Sequence, residues 1–121
     1  MGKDKAEKRS FSVEYTNIYK VHIQEILEYS ETIFGYFQTK KLYYKIENRI
    51  NNIEKYPYFF PIYSDIESDE NVTYRKTLLK PFYIFFSIKN TKITIIDIIH
   101  SSRNPTYIEQ NIKNTIISTN L

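Results

Sequence analysis

Residues 74–105 read YRKTLLKPFYIFFSIKNTKITIIDIIHSSRNP, and this stretch decides the fold. It contains three runs of β-branched and aromatic residues, each bounded by turn-forming residues. Strands are expected near Val72–Leu79, Phe82–Ile88 and Lys92–Ile99. Lys80-Pro81 separates the first two, and Asn90-Thr91 marks a tight hairpin between the second and third. The rings and aliphatics of Phe82–Phe86 fall on both faces of their strand, as in a strand covered on both sides. An arginine, Arg75, opens the first strand, and His100 and Arg103 follow the last. The reading places these two arginines and the histidine close together on an antiparallel sheet.

Working outward from the sheet, Phe11–Tyr15 alternates apolar and polar residues, as a half-buried strand does. Thr16 or Asn17 can cap a following helix. That helix carries Ile18, Val21, Ile23, Ile26, Leu27, Ile33 and Phe34 as its apolar stripe, and Gly35 ends it. A second helix is expected over 39–55, where Leu42, Ile46, Ile50 and Ile53 recur at steps of three or four. Tyr56-Pro57 stops it, because the residue before proline is driven out of helical geometry. Tyr58–Ile62 reads as a short extended segment at an edge, limited by Pro61. The acidic run Ser64–Asn71 reads as a mobile loop. Beyond the sheet, Asn104 caps and Pro105 starts a final helix with Ile108, Ile112 and Ile116 on one face. The expected architecture is α+β: an N-terminal strand, a helical hairpin packed on a mainly antiparallel sheet, and a short C-terminal helix.

The length of 121 residues suits one core, with residues 1–10 as a disordered lead-in and 11–121 as the domain. Cysteine is absent, which excludes disulfides and thiolate metal sites. The two histidines, His22 and His100, are distant in sequence and show no zinc spacing, so no metal is expected. Gly2 and Gly35 are the only glycines, too few for a phosphate-binding glycine loop, and there is no Gly-x-Ser-x-Gly elbow. No cofactor is expected. No apolar run approaches the roughly 18 residues that span a bilayer, and no apolar segment follows the charged N-terminus. A cytoplasmic protein without membrane partners is the expectation.

Charge is unevenly divided along the chain. Residues 11–71 are net acidic, whereas 72–105 carry Arg75, Lys76, Lys80, Lys89, Lys92 and Arg103 against Asp97 alone. The sheet half should therefore attract a polyanion or an acidic protein surface.

In their order and spacing these elements resemble the RelE/ParE toxin superfamily. Ile53-Glu54-Lys55-Tyr56-Pro57 is similar to the end of that family's helical hairpin, and Tyr74-Arg75 to its Tyr-Arg strand opening. Phe82–Ile88 resembles the next strand, with Phe replacing Tyr. Ile95–His100 with Arg103-Asn104-Pro105 resembles the closing strand and its continuation. The resemblance spans residues 11–110. It implies the growth-inhibiting toxin of a bacterial type II toxin–antitoxin system, bound by a cognate antitoxin that contributes a helix and an added strand. The antitoxin is expected across the apolar surface near the helical hairpin and the C-terminal helix. Assembly with the antitoxin, or of the chain with itself, is left open. ParE-like members poison DNA gyrase by binding it; RelE-like members cleave messenger RNA on the ribosome.

Cleavage of RNA through its own 2′-hydroxyl needs a base, an acid and cations for the phosphate. Arg75 and Arg103 could clamp a phosphate, and His100 titrates in the right range. Tyr107 resembles a C-terminal tyrosine of the RelE-like nucleases. Each also has a plainer role: Arg75 paired with Asp97, His100 capping a strand, Tyr107 packing on its helix. Residues 58–71 contain no Lys or Arg, where the resemblance implies lysines, and Glu67 and Glu70 fall in a loop. The first reading is therefore a ParE-like binder of gyrase that meets its target through Arg75, Lys76, Lys80 and Arg103. The second is a nuclease using Arg75, Arg103, His100 and Tyr107, and the third a non-toxic interaction module.

Overall fold

The structure, a computed structural model, describes residues 10–119. The lead-in expected over 1–10 lies, apart from Ser10, outside the described residues. Chain order is β1 (Ser12–Tyr15), α1 (Asn17–Phe34), α2 (Tyr36–Lys55), a 3₁₀ turn (Pro57–Phe59), β2 (Val72–Leu79), β3 (Phe82–Lys89), β4 (Lys92–His100) and α3 (Pro105–Thr119). The four strands form one sheet in the order β1-β4-β3-β2. β1 lies parallel to β4, and the other pairs are antiparallel. This is the α+β architecture expected from the sequence.

The sheet is covered on both faces. On one face, Ile46, Ile50 and Ile53 of α2 and Tyr19 of α1 pack on Phe82, Ile84, Phe86 and Ile88. Each of these isoleucines contributes roughly 2 kcal/mol by leaving water. On the other face, Ile108 and Ile112 of α3, with Tyr63 and Ile66, cover Tyr74, Phe85, Ile96 and Ile99. Two-residue alternation along β3 sends Phe86 one way and Phe85 the other. Opposite β3's Phe85–Phe86 step, Ile96 of β4 is an extra, unpaired residue. This bulge puts Ile95 and Ile98 in the core on the hairpin side, and Ile96 and Ile99 in the core on the α3 side.

Three local features differ from the sequence reading. α2 begins at Tyr36, directly after Gly35, so the hairpin has a one-residue link. Gly35 sits at φ 86° and ψ 176°, a conformation essentially closed to residues with a Cβ. Second, Tyr58–Ile62 makes no strand: Pro57 starts a 3₁₀ turn, and Ile62 forms only an isolated bridge to Arg75. Third, Val21, Ile33 and Phe34 of the α1 stripe are exposed, while Tyr19 takes the buried position. The acidic loop is anchored by buried Ile66 and by the Asp69 carboxylate, which accepts the Asn71 and Val72 N–H groups at 2.7 and 2.9 Å.

The outer edge of β2 is occupied by the chain itself. Tyr63 donates its N–H to Tyr74 O, Lys76 donates to Pro61 O, and Tyr74 donates to Ser68 Oγ. Arg49 of α2 reaches over to Leu78 O at 2.9 Å. Such capping removes the template for strand addition on that side. Since a Cβ at Gly35 would meet nothing within 4 Å, the cost of Gly35→Ala is conformational alone. It should lower stability by about 1 kcal/mol or more, read as a fall in the urea midpoint at unchanged slope.

Candidate functional site: a groove at the open end of β4

β1 is four residues long and accompanies β4 only as far as Ile95. Past that point, Asp97–His100 has no neighbouring strand on its outer side. α1 starts at this step. The Thr16 N–H donates to Ile95 O at 3.1 Å, and the Thr16 hydroxyl donates to Ile96 O at 2.6 Å while accepting the Tyr19 N–H. The helix cap is thus itself pinned to β4, and it carries α1 across the strand's open end. The result is a groove of 880 Å³, walled by α1 and α2 on one side and by Arg103 and α3 on the other. Ile26, Tyr29, Phe34, Leu42 and Phe82 make it largely apolar.

Two polar residues that the sequence reading did not join meet in this groove. His22 Nδ1 stands 2.6 Å from Asp97 Oδ1. Asp97 is 1% exposed, and Oδ1 also takes the Ile98 N–H at 2.7 Å. Its other oxygen, Oδ2, is buried and has no hydrogen-bond partner among the described residues. Burial pushes the Asp97 carboxyl above the ordinary aspartate range, against the opposing pull of His22 and the Ile98 N–H. With Oδ1 accepting from Nδ1, the imidazole presents Nε2 as its second nitrogen. His22 is partly exposed and lines the groove. A lone aspartate inside the run Ile95-Ile96-Asp97-Ile98-Ile99 was the available signal: a charge in a fully buried strand requires a partner.

The expected pairing of Arg75 with Asp97 does not occur. The Arg75 guanidinium donates instead to the backbone oxygens of Phe60 at 2.6 Å and Tyr58 at 3.4 Å, and lies 5.1 Å from the Tyr58 ring centre. Arg75 therefore fastens the segment after the 3₁₀ turn to β2. Nor do the two arginines and the histidine converge. Arg75 is opposite Phe86, whereas His100 is opposite Phe82 from the far side of β3. Four residues along the strand and two strands across amount to roughly 16 Å. The other basic candidates also separate. Lys76 points to the opposite face, over the rings of Tyr63 and Tyr83 at 5.1 and 4.6 Å, and Lys80 is exposed in the turn before Pro81.

His100, Arg103 and Tyr107 do come together in the groove. His100 Nδ1 is occupied by Ser102, through its N–H at 3.1 Å and its hydroxyl at 2.7 Å. The imidazole ring stands edge-on to Phe82. Arg103 lies 4.3 Å from the Tyr107 ring centre, and both side chains are exposed.

Two outcomes follow from these contacts. Arg75→Ala should cost about 1–2 kcal/mol in folding stability by orphaning the Phe60 carbonyl. A denaturant titration measures it. Asp97 works through the pH dependence. Because its folded pKa is raised, this group favours folding at low pH, and that contribution is lost as pH rises from the ordinary aspartate value through the raised one. Asp97→Asn should therefore melt higher than the parent at pH 7, with the gap closing as pH falls below about 4. Paired melting curves across that range check the sign.

Comparison with known proteins agrees with this fold. The family model described as "ParE toxin of type II toxin-antitoxin system, parDE" matches residues 13–105. No curated protein matches the chain. Among solved structures, a chain of the "Chromosomal ParDE TA system from P. aeruginosa" is similar, with a TM-score of 0.61 at 17% identity. That alignment covers 75% of this chain and 96% of the other. With the family's match running from β1 to the first residue of α3, the chain belongs to the ParE toxin family of type II toxin–antitoxin systems.

Proposed function

We propose that this toxin arrests bacterial growth from the cytoplasm by binding DNA gyrase, and that a cognate antitoxin silences it by filling the groove at the open end of β4. The observation that carries a binding rather than a nuclease mechanism is the position of Arg75. It is about 16 Å from His100 by strand register, and its guanidinium is tied to backbone carbonyls rather than free to meet a phosphate beside that histidine. The gyrase target is inferred from family membership. Exposed Tyr29, Ile33 and Phe34 on α1 support an apolar partner, since a free monomer seldom leaves such rings and aliphatics contiguous. With the β2 edge closed by the chain itself, an added strand would have to approach β1 or the open end of β4.

One observation favours RNA cleavage as a second reading. Both histidines of the chain line the same groove as Arg103, which would give a base, an acid and a cation without Arg75. Controlled expression in a bacterial host lacking the antitoxin separates the two, with growth, messenger RNA integrity and plasmid supercoiling followed together. Arrest with intact RNA and altered supercoiling is the expected result. Arrest with cut RNA would replace gyrase binding by the nuclease. Normal growth at verified soluble expression would leave a non-toxic interaction module.

A further inference from the structure

We propose that His22 and Asp97 are the polar anchor of the groove, receiving one lysine or arginine side chain from an apolar-faced helix of the antitoxin. The inference rests on the reading that the antitoxin occupies this groove, and adds the chemistry by which it is recognised. Folded proteins leave few buried polar atoms unanswered, and Asp97 Oδ2 is such an atom among the described residues. The carboxylate is buried beside a groove that remains open, and one imidazole answers only its other oxygen. A cation arriving at His22 would compensate a charge that burial otherwise leaves half-paired.

The charged side chains lining the groove give the partner an orientation. Glu25 stands on the α1 wall with His22, above Asp97 of β4, whereas Arg103 stands on the opposite wall against Tyr107. The α1 side is thus acidic and the α3 side basic. A helix lying between them would point its cation at His22, Asp97 and Glu25, and an acidic residue at Arg103, with its apolar side chains on Ile26 and Phe82. Two carboxylates in an apolar channel suit such a helix, and would repel the phosphates of RNA.

The test uses the purified full chain and its cognate antitoxin, with affinity measured by titration calorimetry. Tyr29→Ala/Phe34→Ala trims the groove's exposed apolar rim, and weaker binding is expected if the antitoxin lies there. Asp97→Asn should bind about ten- to a hundredfold more weakly than the parent while melting no lower. Replacing the antitoxin's Lys and Arg residues one at a time by Met should find one whose loss matches. Combined with Asp97→Asn, that replacement should cause no further loss, because the two changes remove the same interaction. Parental affinity of Asp97→Asn alongside weakened Tyr29→Ala/Phe34→Ala overturns the anchor but keeps the groove. Undiminished binding by Tyr29→Ala/Phe34→Ala overturns the groove reading itself. Losses that add for every antitoxin cation, or a 12-mer polyuridine RNA that binds the parent but not Asp97→Asn, also overturn the anchor.

Discussion

The organisation of this protein depends on how β4 is held along its outer edge. For its first half, β1 supplies a parallel neighbour. Beyond Ile95 that neighbour stops, and Thr16 takes over by bonding Ile95 O and Ile96 O while capping α1. Nearly two turns later His22 reaches Asp97. Strand, cap and imidazole are thus successive clamps on one edge, and they hold α1 against β4. The bulge at Ile96 falls within this handover. A longer β1 would have covered Asp97–His100 and left no groove.

Much of the fold could be read from residue spacing because the relevant signals are local. The three apolar runs, the Asn90 turn and the Asn104-Pro105 start of α3 each follow from nearest-neighbour preferences. Asn90 takes the left-handed conformation that a tight turn requires, and Asn104 Oδ1 accepts the Thr106 N–H. The α1 stripe was less legible. Helical period identifies a face, but only the packing angle decides which end of it is covered, and so Phe34 is exposed while Tyr19 is buried.

The site was less legible still, for the same reason. His100, Arg103 and Tyr107 are neighbours in sequence, so their meeting could be anticipated. Arg75 was joined to them by sign of charge, but strand register sends it two strands away. His22 and Asp97 are 75 residues apart, and nothing near His22 announces the contact. Only the oddity of one aspartate among four isoleucines did so, and the sequence reading answered it with Arg75 where the structure has His22. Alternation along β2 puts Arg75 and Lys76 on opposite faces, where each is engaged by aromatic rings.

Membership of the ParE toxin family accounts for the sheet and the hairpin. In the groove, an apolar channel holds a buried carboxylate and two histidines. That combination is costly for an isolated monomer and well suited to a partner that covers it. Hydrogen exchange of the full chain, alone and with its antitoxin, tests this most directly. The account predicts slowed exchange concentrated in residues 19–42 and 97–107. Protection confined to residues 57–79, with those segments unchanged, would contradict it.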